Sequence, residues 1–141
     1  MTSKAPLIES KPSVTAKMVC YMRALGYREM GPPVAQDNLA ELFLSPTLRG
    51  QVQSDEIRPK LFKNPDMQMA NYSYLTARTR HLDRIFSEAL AANIEQVVVL
   101  GAGYDSRSYR FTDVPDGTQV YEVDAPTTQA AKLKYLSLIH I

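Results

Sequence analysis

The chain has 141 residues, 45 % hydrophobic and 22 % charged, with 16 basic side chains against 15 acidic ones and a formal net charge of +1. That profile belongs to a globular domain with a real core, and it excludes a disordered chain or an electrostatic grip on nucleic acid or an anionic membrane. The lone cysteine, Cys20, allows no internal disulfide, two histidines and one cysteine are too few for a zinc cage without carboxylates, and no run nears the ~18 apolar residues of a membrane span.

Residues 1–12 are polar and carry Pro6 and Pro12, without the apolar stretch of a secretory signal. They read as a disordered arm, and a cytoplasmic protein is the default. Ser13 is a candidate N-cap for an amphipathic helix with Val14, Met18, Met22 and Leu25 at helical spacing, Lys17 and Arg23 off that stripe, and Gly26 as the stop. Cys20 lies beside the stripe as inert packing. Pro32-Pro33 breaks the chain. A short helix is expected from Asp37, with Leu39, Leu42 and Phe43 on one face. Pro46, Pro59 and Pro65 punctuate 45–65, which reads as loop with one short helix.

From Met67 a long helix carries Leu75, Leu82, Ile85, Phe86, Ala89 and Leu90 to about Ala92, and Asn93 ends it. His81 within it reads as a partly exposed structural histidine. Gln96–Leu100 is a β-branched apolar run that fits a strand covered on both faces, as in a parallel sheet. Ser106–Phe111 is a short helix, Pro115-Asp116-Gly117 a turn, and Gln119–Val123 a second strand that ends at Asp124. Thr127 or Thr128 is placed to cap a last helix with Ala130, Ala131 and Leu133. The organisation is thus a helical region over 13–92 and the start of an α/β domain over 93–135. Strands joined by a crossover are parallel and right-handed.

The chemistry concentrates at Leu100-Gly101-Ala102-Gly103-Tyr104-Asp105-Ser106-Arg107. A buried strand opens into two glycines one residue apart, the first for a tight turn and the second for close approach of a ligand to the backbone. Ser106 stands where a dinucleotide fingerprint needs glycine or alanine. Alone, the pair is as consistent with a plain glycine turn. Asp124, 23 residues after Gly101, ends the next strand, where a carboxylate meets a nucleoside ribose in such folds. Its alternative role is a helix cap before Pro126.

Val98-Val99-Leu100-Gly101-Ala102-Gly103-Tyr104-Asp105-Ser106-Arg107-Ser108-Tyr109-Arg110, followed by Tyr121-Glu122-Val123-Asp124-Ala125-Pro126 and Lys132, resembles the leucine carboxyl methyltransferase family. Ser13–Lys17 and Tyr74–Arg80 share the resemblance, which covers about residues 12–135. It implies a Rossmann-like class I methyltransferase sheet, here truncated after about two strands, with an N-terminal helical extension. It implies S-adenosyl-L-methionine as cofactor: Gly101 and Gly103 at the methionyl part, Asp124 on the ribose hydroxyls, Arg78 and Lys17 at the methionine carboxylate, and Asp105 ordering the loop. The plain alternatives are a solvated helix face for Arg78 and Arg80, a surface lysine for Lys17 and a helix cap for Asp105. Glu122 is either a ligand contact or a structural carboxylate.

The activity implied is O-methyl transfer to a small-molecule hydroxyl, a small-molecule carboxylate or a protein C-terminal carboxylate. No residue here is assigned the chemical step, no metal is called for, and neither nucleic acid nor a membrane is a partner. The competing readings are an NAD(P)- or flavin-dependent oxidoreductase and a non-catalytic nucleotide-binding α/β module. Leu136–Ile141 matches a translated frame of a common sequencing adapter, so native sequence is expected to stop near Tyr135 and the segment itself to lack catalysis. Two strands alone leave a sheet edge unpaired, which predicts a poorly stable, aggregating fragment.

Overall fold

The computed structural model describes residues 10–32, 34–64 and 70–137. Met67, Met69, most of the expected arm and the end of the expected tail lie outside the described residues. Along the chain come α1 (Val14–Met30), a 3-10 turn (Ala40–Phe43), α2 (Pro46–Gln53), α3 (Ile57–Phe62), α4 (Ala70–Ala91), β1 (Gln96–Leu100), α5 (Arg107–Arg110), β2 (Gln119–Val123) and α6 (Pro126–Leu136).

Ser13 caps α1 as its side chain predicts: Oγ accepts from the Ala16 N–H at 3.1 Å. The Ser13 N–H in turn donates to Thr128 Oγ1 at 3.0 Å, which ties the start of α1 to α6. The helix does not stop at Gly26. It runs to Met30, and Gly31 closes it with φ +72° and its N–H on Tyr27 O. Gly26 is buried, and a Cβ there would lie 3.4 Å from Thr76 Oγ1. That glycine allows close approach of α1 to α4 and does not break the helix.

The apolar stripe expected on α1 holds at Met22 and Leu25 but not at Val14 and Met18. Val14 is 78 % exposed and Met18 is also exposed, whereas Cys20, Tyr21, Met22, Ala24 and Leu25 are all buried. The middle of α1 is enclosed by the 3-10 turn, α2, α3 and α4, so it is buried around most of its circumference and shows no clean amphipathic face. With Ala40, Phe43, Leu44, Val52, Leu75 and Tyr104 it makes the core. Cys20 sits in that core as expected: it is fully buried, and Sγ lies 3.2 Å from Ala40 O.

Two helices occupy the segment read as loop with one helix. Pro65 lies outside the described residues; Pro46 and Pro59 misled because both lie in first turns, where the missing N–H has no intrahelical partner to lose. Pro46 opens α2 behind the Ser45 N-cap, and Pro59 is the third residue of α3. Likewise α6 is entered through Ala125 and Pro126, so neither Thr127 nor Thr128 is its cap; Thr128 is instead the buried acceptor for Ser13. Asn93, in the left-handed region at φ 51°, ends α4 as predicted.

β1 and β2 pair in parallel, with Gln96 opposite Gln119 and Leu100 opposite Val123. The expectation of cover on both faces is not met by the described chain. Val97, Val99, Val120 and Glu122 are half-buried, whereas Val98, Leu100, Tyr121 and Val123 are exposed, Leu100 at 77 %. Nothing among the described residues packs on that second face. Leu82 and Ile85 of α4, expected on its apolar stripe, are likewise exposed. No helix among the described residues is long and apolar enough to cross a membrane.

Candidate functional site

Both glycines after β1 adopt left-handed backbone, φ +62° at Gly101 and +52° at Gly103. Such angles cost an L side chain about 1–2 kcal/mol, so glycine is favoured at each for conformation alone. Their surroundings differ. A Cβ on Gly101 would meet nothing within 4 Å, so that side of the turn is open. A Cβ on Gly103 would lie 3.0 Å from Ala16 Cβ. The second glycine lets α1 press against the loop.

Asp124 joins the ends of the two strands. Its Oδ2 accepts from the Gly103 N–H at 2.5 Å and its Oδ1 from its neighbour Ala125 at 2.6 Å. A carboxylate offers about four lone-pair sites, so two remain for a further donor. It lines a cavity of about 400 Å³ with Gly101, Gly103, Asp105 and, from the helical region, Arg78 and Arg23. Of the sequence-predicted site, then, Arg78, Gly101, Gly103, Asp105 and Asp124 share one concavity beyond the carboxyl ends of the strands. Lys17 is exposed on α1 and does not line it.

Asp105 ties the loop to the residue that opens α5, whose N-cap position is Ser106: Oδ1 accepts from the Arg107 N–H at 2.8 Å, and Oδ2 accepts from Arg107 Nη1. Arg107 continues to Asp83 of α4, Nε to Oδ1 at 2.8 Å. Arg110 reaches both oxygens of the same Asp83, at 2.8 and 3.0 Å. Its Nε donates to Ser106 Oγ, which donates to Asp37 Oδ1 at 2.6 Å. Asp37 Oδ2 faces Arg23 Nε at 3.3 Å. Three arginines and three aspartates therefore form a charge-balanced lattice under the glycine loop, fixing it to α1 and α4. Buried charges persist only when paired in this way.

Glu122 is structural. It accepts from Ser108 Oγ at 2.9 Å and from buried Lys132 Nζ at 2.6 Å. Tyr104 is buried against Phe43 and Tyr135, and its hydroxyl finds no partner among the described residues. Burial raises its pKa above the ordinary tyrosine value. Burial likewise pushes the Cys20 thiol up to about 11, against the opposing pull of Arg23. His81 is exposed on α4, its Nδ1 3.4 Å from Arg84 Nη2.

Sequence reasoning missed Arg23, Asp37 and Asp83. For Asp83 the signal was present: Leu75, Thr79, Asp83, Phe86 and Leu90 recur at helical spacing, and a carboxylate within such a stripe must find a cation. All five are buried. For Asp37, in a loop, nothing in the sequence marked the partner.

A family model described as leucine carboxyl methyltransferase matches residues 16–140. A protein of Mycobacteroides abscessus named "Putative S-adenosyl-L-methionine-dependent methyltransferase" is 42 % identical over 127 residues, covering 84 % of this chain and 39 % of its own length. Proteins of the same name in Mycobacterium ulcerans and Mycobacterium marinum are each 39 % identical over 128 residues, covering 84 % of this chain and 40 % of theirs. The chain spans about two fifths of the length of the curated relatives it matches.

Proposed function

This chain belongs to the leucine carboxyl methyltransferase family, and from that premise we propose that it forms the cofactor-gripping part of an S-adenosyl-L-methionine-dependent O-methyltransferase with a Rossmann-like sheet. The observation that carries the reading is the Asp124–Gly103 bond at 2.5 Å, which sets a carboxylate with spare acceptor sites in the cavity that Gly101 also lines.

The residues present fit the cofactor. Asp124 suits two ribose hydroxyls, since hydrogen bonds to a charged acceptor contribute about 1.5–3 kcal/mol each. Arg78 has no hydrogen bond or ion pair among the described residues, which leaves its fork for a carboxylate. Gly101 presents bare backbone to the cavity, and Asp105, held by Arg107, keeps that backbone in place. When bound, the sulfonium supplies the methyl group for an in-line displacement. The protein's part is to hold, orient and exclude water. The acceptor is a carboxylate or a hydroxyl.

The oxidoreductase alternative fares worse on one observation. A dinucleotide pyrophosphate rests on the N-terminus of a crossover helix. The crossover helix here, α5, is a single turn, and Ser106 ahead of it is fully buried and bonded to Asp37. Calorimetry on the intact protein tests the choice: S-adenosylhomocysteine binds and NAD does not. Binding of NAD without S-adenosylhomocysteine reverses the assignment.

A further inference from the structure

Arg23 emerges from the core into the wall of the same cavity. Ala16, Val19 and Arg23 recur at i, i+3 and i+7 on one face of α1, and all three line the cavity. Lys17 follows Ala16 by one residue, about 100° around the helix, and is exposed. The Arg23 side chain retains only 10 % of its exposure, and its Nη2 donates to Tyr104 O at 2.6 Å. The guanidinium therefore stands at the glycine loop itself, beside Gly103.

Asp37 matches its charge, yet most of its donors have no hydrogen-bonded oxygen among the described residues. A guanidinium has five N–H groups. Among the described residues one of them reaches an oxygen acceptor with hydrogen-bond geometry. Nε is buried without an acceptor, and Asp37 Oδ2, 3.3 Å away, is equally without a donor. The two make an ion pair in which the N–H does not point at the oxygen. Both carboxylates of the cavity are engaged, Asp105 by Arg107 and Asp124 by two backbone N–H groups. The wall thus offers an anion Arg78, which has no partner among the described residues, and the spare N–H groups of Arg23, whose charge is matched by Asp37.

We propose that Arg23 is the second cation, beside Arg78, for the carboxylate on the amino-acid arm of the bound cofactor, the place that the family resemblance gives to Lys17. The proposal rests on the S-adenosylmethionine reading. A buried guanidinium held by the loop carbonyl is already ordered, so a carboxylate that meets it loses less freedom than one met by an exposed lysine. Its attraction is also less screened.

The test compares two ligands that differ at that arm. S-adenosylhomocysteine carries the carboxylate; 5′-methylthioadenosine has the same adenosine and thioether without it. On the intact protein, Arg23→Met is expected to weaken S-adenosylhomocysteine on the order of 10- to 100-fold while 5′-methylthioadenosine stays within about twofold. Arg78→Met is expected to show the same selectivity, and Lys17→Met to change neither ligand. Arg23→Lys keeps the charge opposite Asp37 but lacks the fork; it shows the selective loss in smaller measure, and it decides the matter if the methionine variant does not fold. Equal loss of both ligands would reduce Arg23 to a structural residue and overturn the proposal, as would an unchanged affinity for S-adenosylhomocysteine. Wild-type protein that binds neither ligand overturns the cofactor reading itself, and the proposal with it, before any variant is made.

Discussion

The two glycines of the loop share a backbone conformation but not a neighbourhood, so alanine at each isolates the effect of the neighbour. At Gly101, with φ +62° and open space around the added methyl, the cost is conformational alone, about 1–2 kcal/mol. At Gly103, with φ +52°, the same conformational cost is joined by a Cβ–Cβ approach of 3.0 Å to Ala16. Relief requires α1 to move by a few tenths of an ångström, yet α1 is tied at Ser13 to Thr128 and at Arg23 to Tyr104. Overpacking of this kind costs about 1–3 kcal/mol, for a total of about 2–5 kcal/mol. Ala16→Gly removes the opposing methyl at a helix cost of about 0.5–1 kcal/mol and should rescue Gly103→Ala but not Gly101→Ala. The assay is urea unfolding of the intact protein as a double-mutant cycle, read where the slope is unchanged. The Ala16–Gly103 coupling should be about 1–3 kcal/mol. A coupling under about 0.5 kcal/mol would refute the claim that Gly103 exists for the packing of α1.

Other consequences follow from the same contacts. Asp124→Asn should weaken S-adenosylhomocysteine on the order of 10-fold or more in calorimetry, and an unchanged affinity would remove the ribose assignment. Asp83→Ala leaves Arg107 and Arg110 without their shared carboxylate and should cost about 3–5 kcal/mol in unfolding, whereas Arg84→Ala, which breaks an exposed pair with Glu88, should cost under about 0.5 kcal/mol; equal losses would contradict the buried lattice. Tyr104→Phe removes a buried hydroxyl that has no partner among the described residues and should leave stability unchanged or raise it by about 1 kcal/mol; a clear loss would mean that the hydroxyl is bonded after all. The Cys20 thiol, raised from 9.0 to about 11 by burial, keeps its proton where the unfolded chain has lost it. Its contribution is therefore full below pH 9 and lost between pH 9 and 11, so Cys20→Ala should show a shallower fall of unfolding free energy across that window than the parent protein. Parallel curves would discount the shift.

Much of the site was legible because it rests on local rules. A β-branched run, glycines with positive φ and an acidic residue at the end of the next strand are properties of short segments, and β1, the loop, β2 and Asp124 stand where those segments imply. The prolines were harder, because Pro46 and Pro59 look alike in a loop and in a first turn, and only the neighbouring Ser45 cap and the packing of α2 and α3 on α1 separate the two. Exposure failed for another reason. Val98, Leu100, Tyr121 and Val123 have the composition of a buried face, and the described chain has nothing to lay on it.

The sequence by itself determined the order of elements from α4 onward, the parallel pair of strands, the bend at Gly101 and the carboxylate at Asp124, since each follows from backbone preference or from side-chain period within a few residues. Only the tertiary structure decided that Gly26 continues a helix, that Gly103 serves Ala16, and that Arg23 and not Lys17 reaches the cavity. These depend on which residues distant in the chain come within 4 Å, and a neighbour 50 or 87 positions away leaves no mark on local pattern. The lattice of Arg23, Arg107 and Arg110 with Asp37, Asp83 and Asp105 is the plainest case: six charges from four segments are stable in the interior only together.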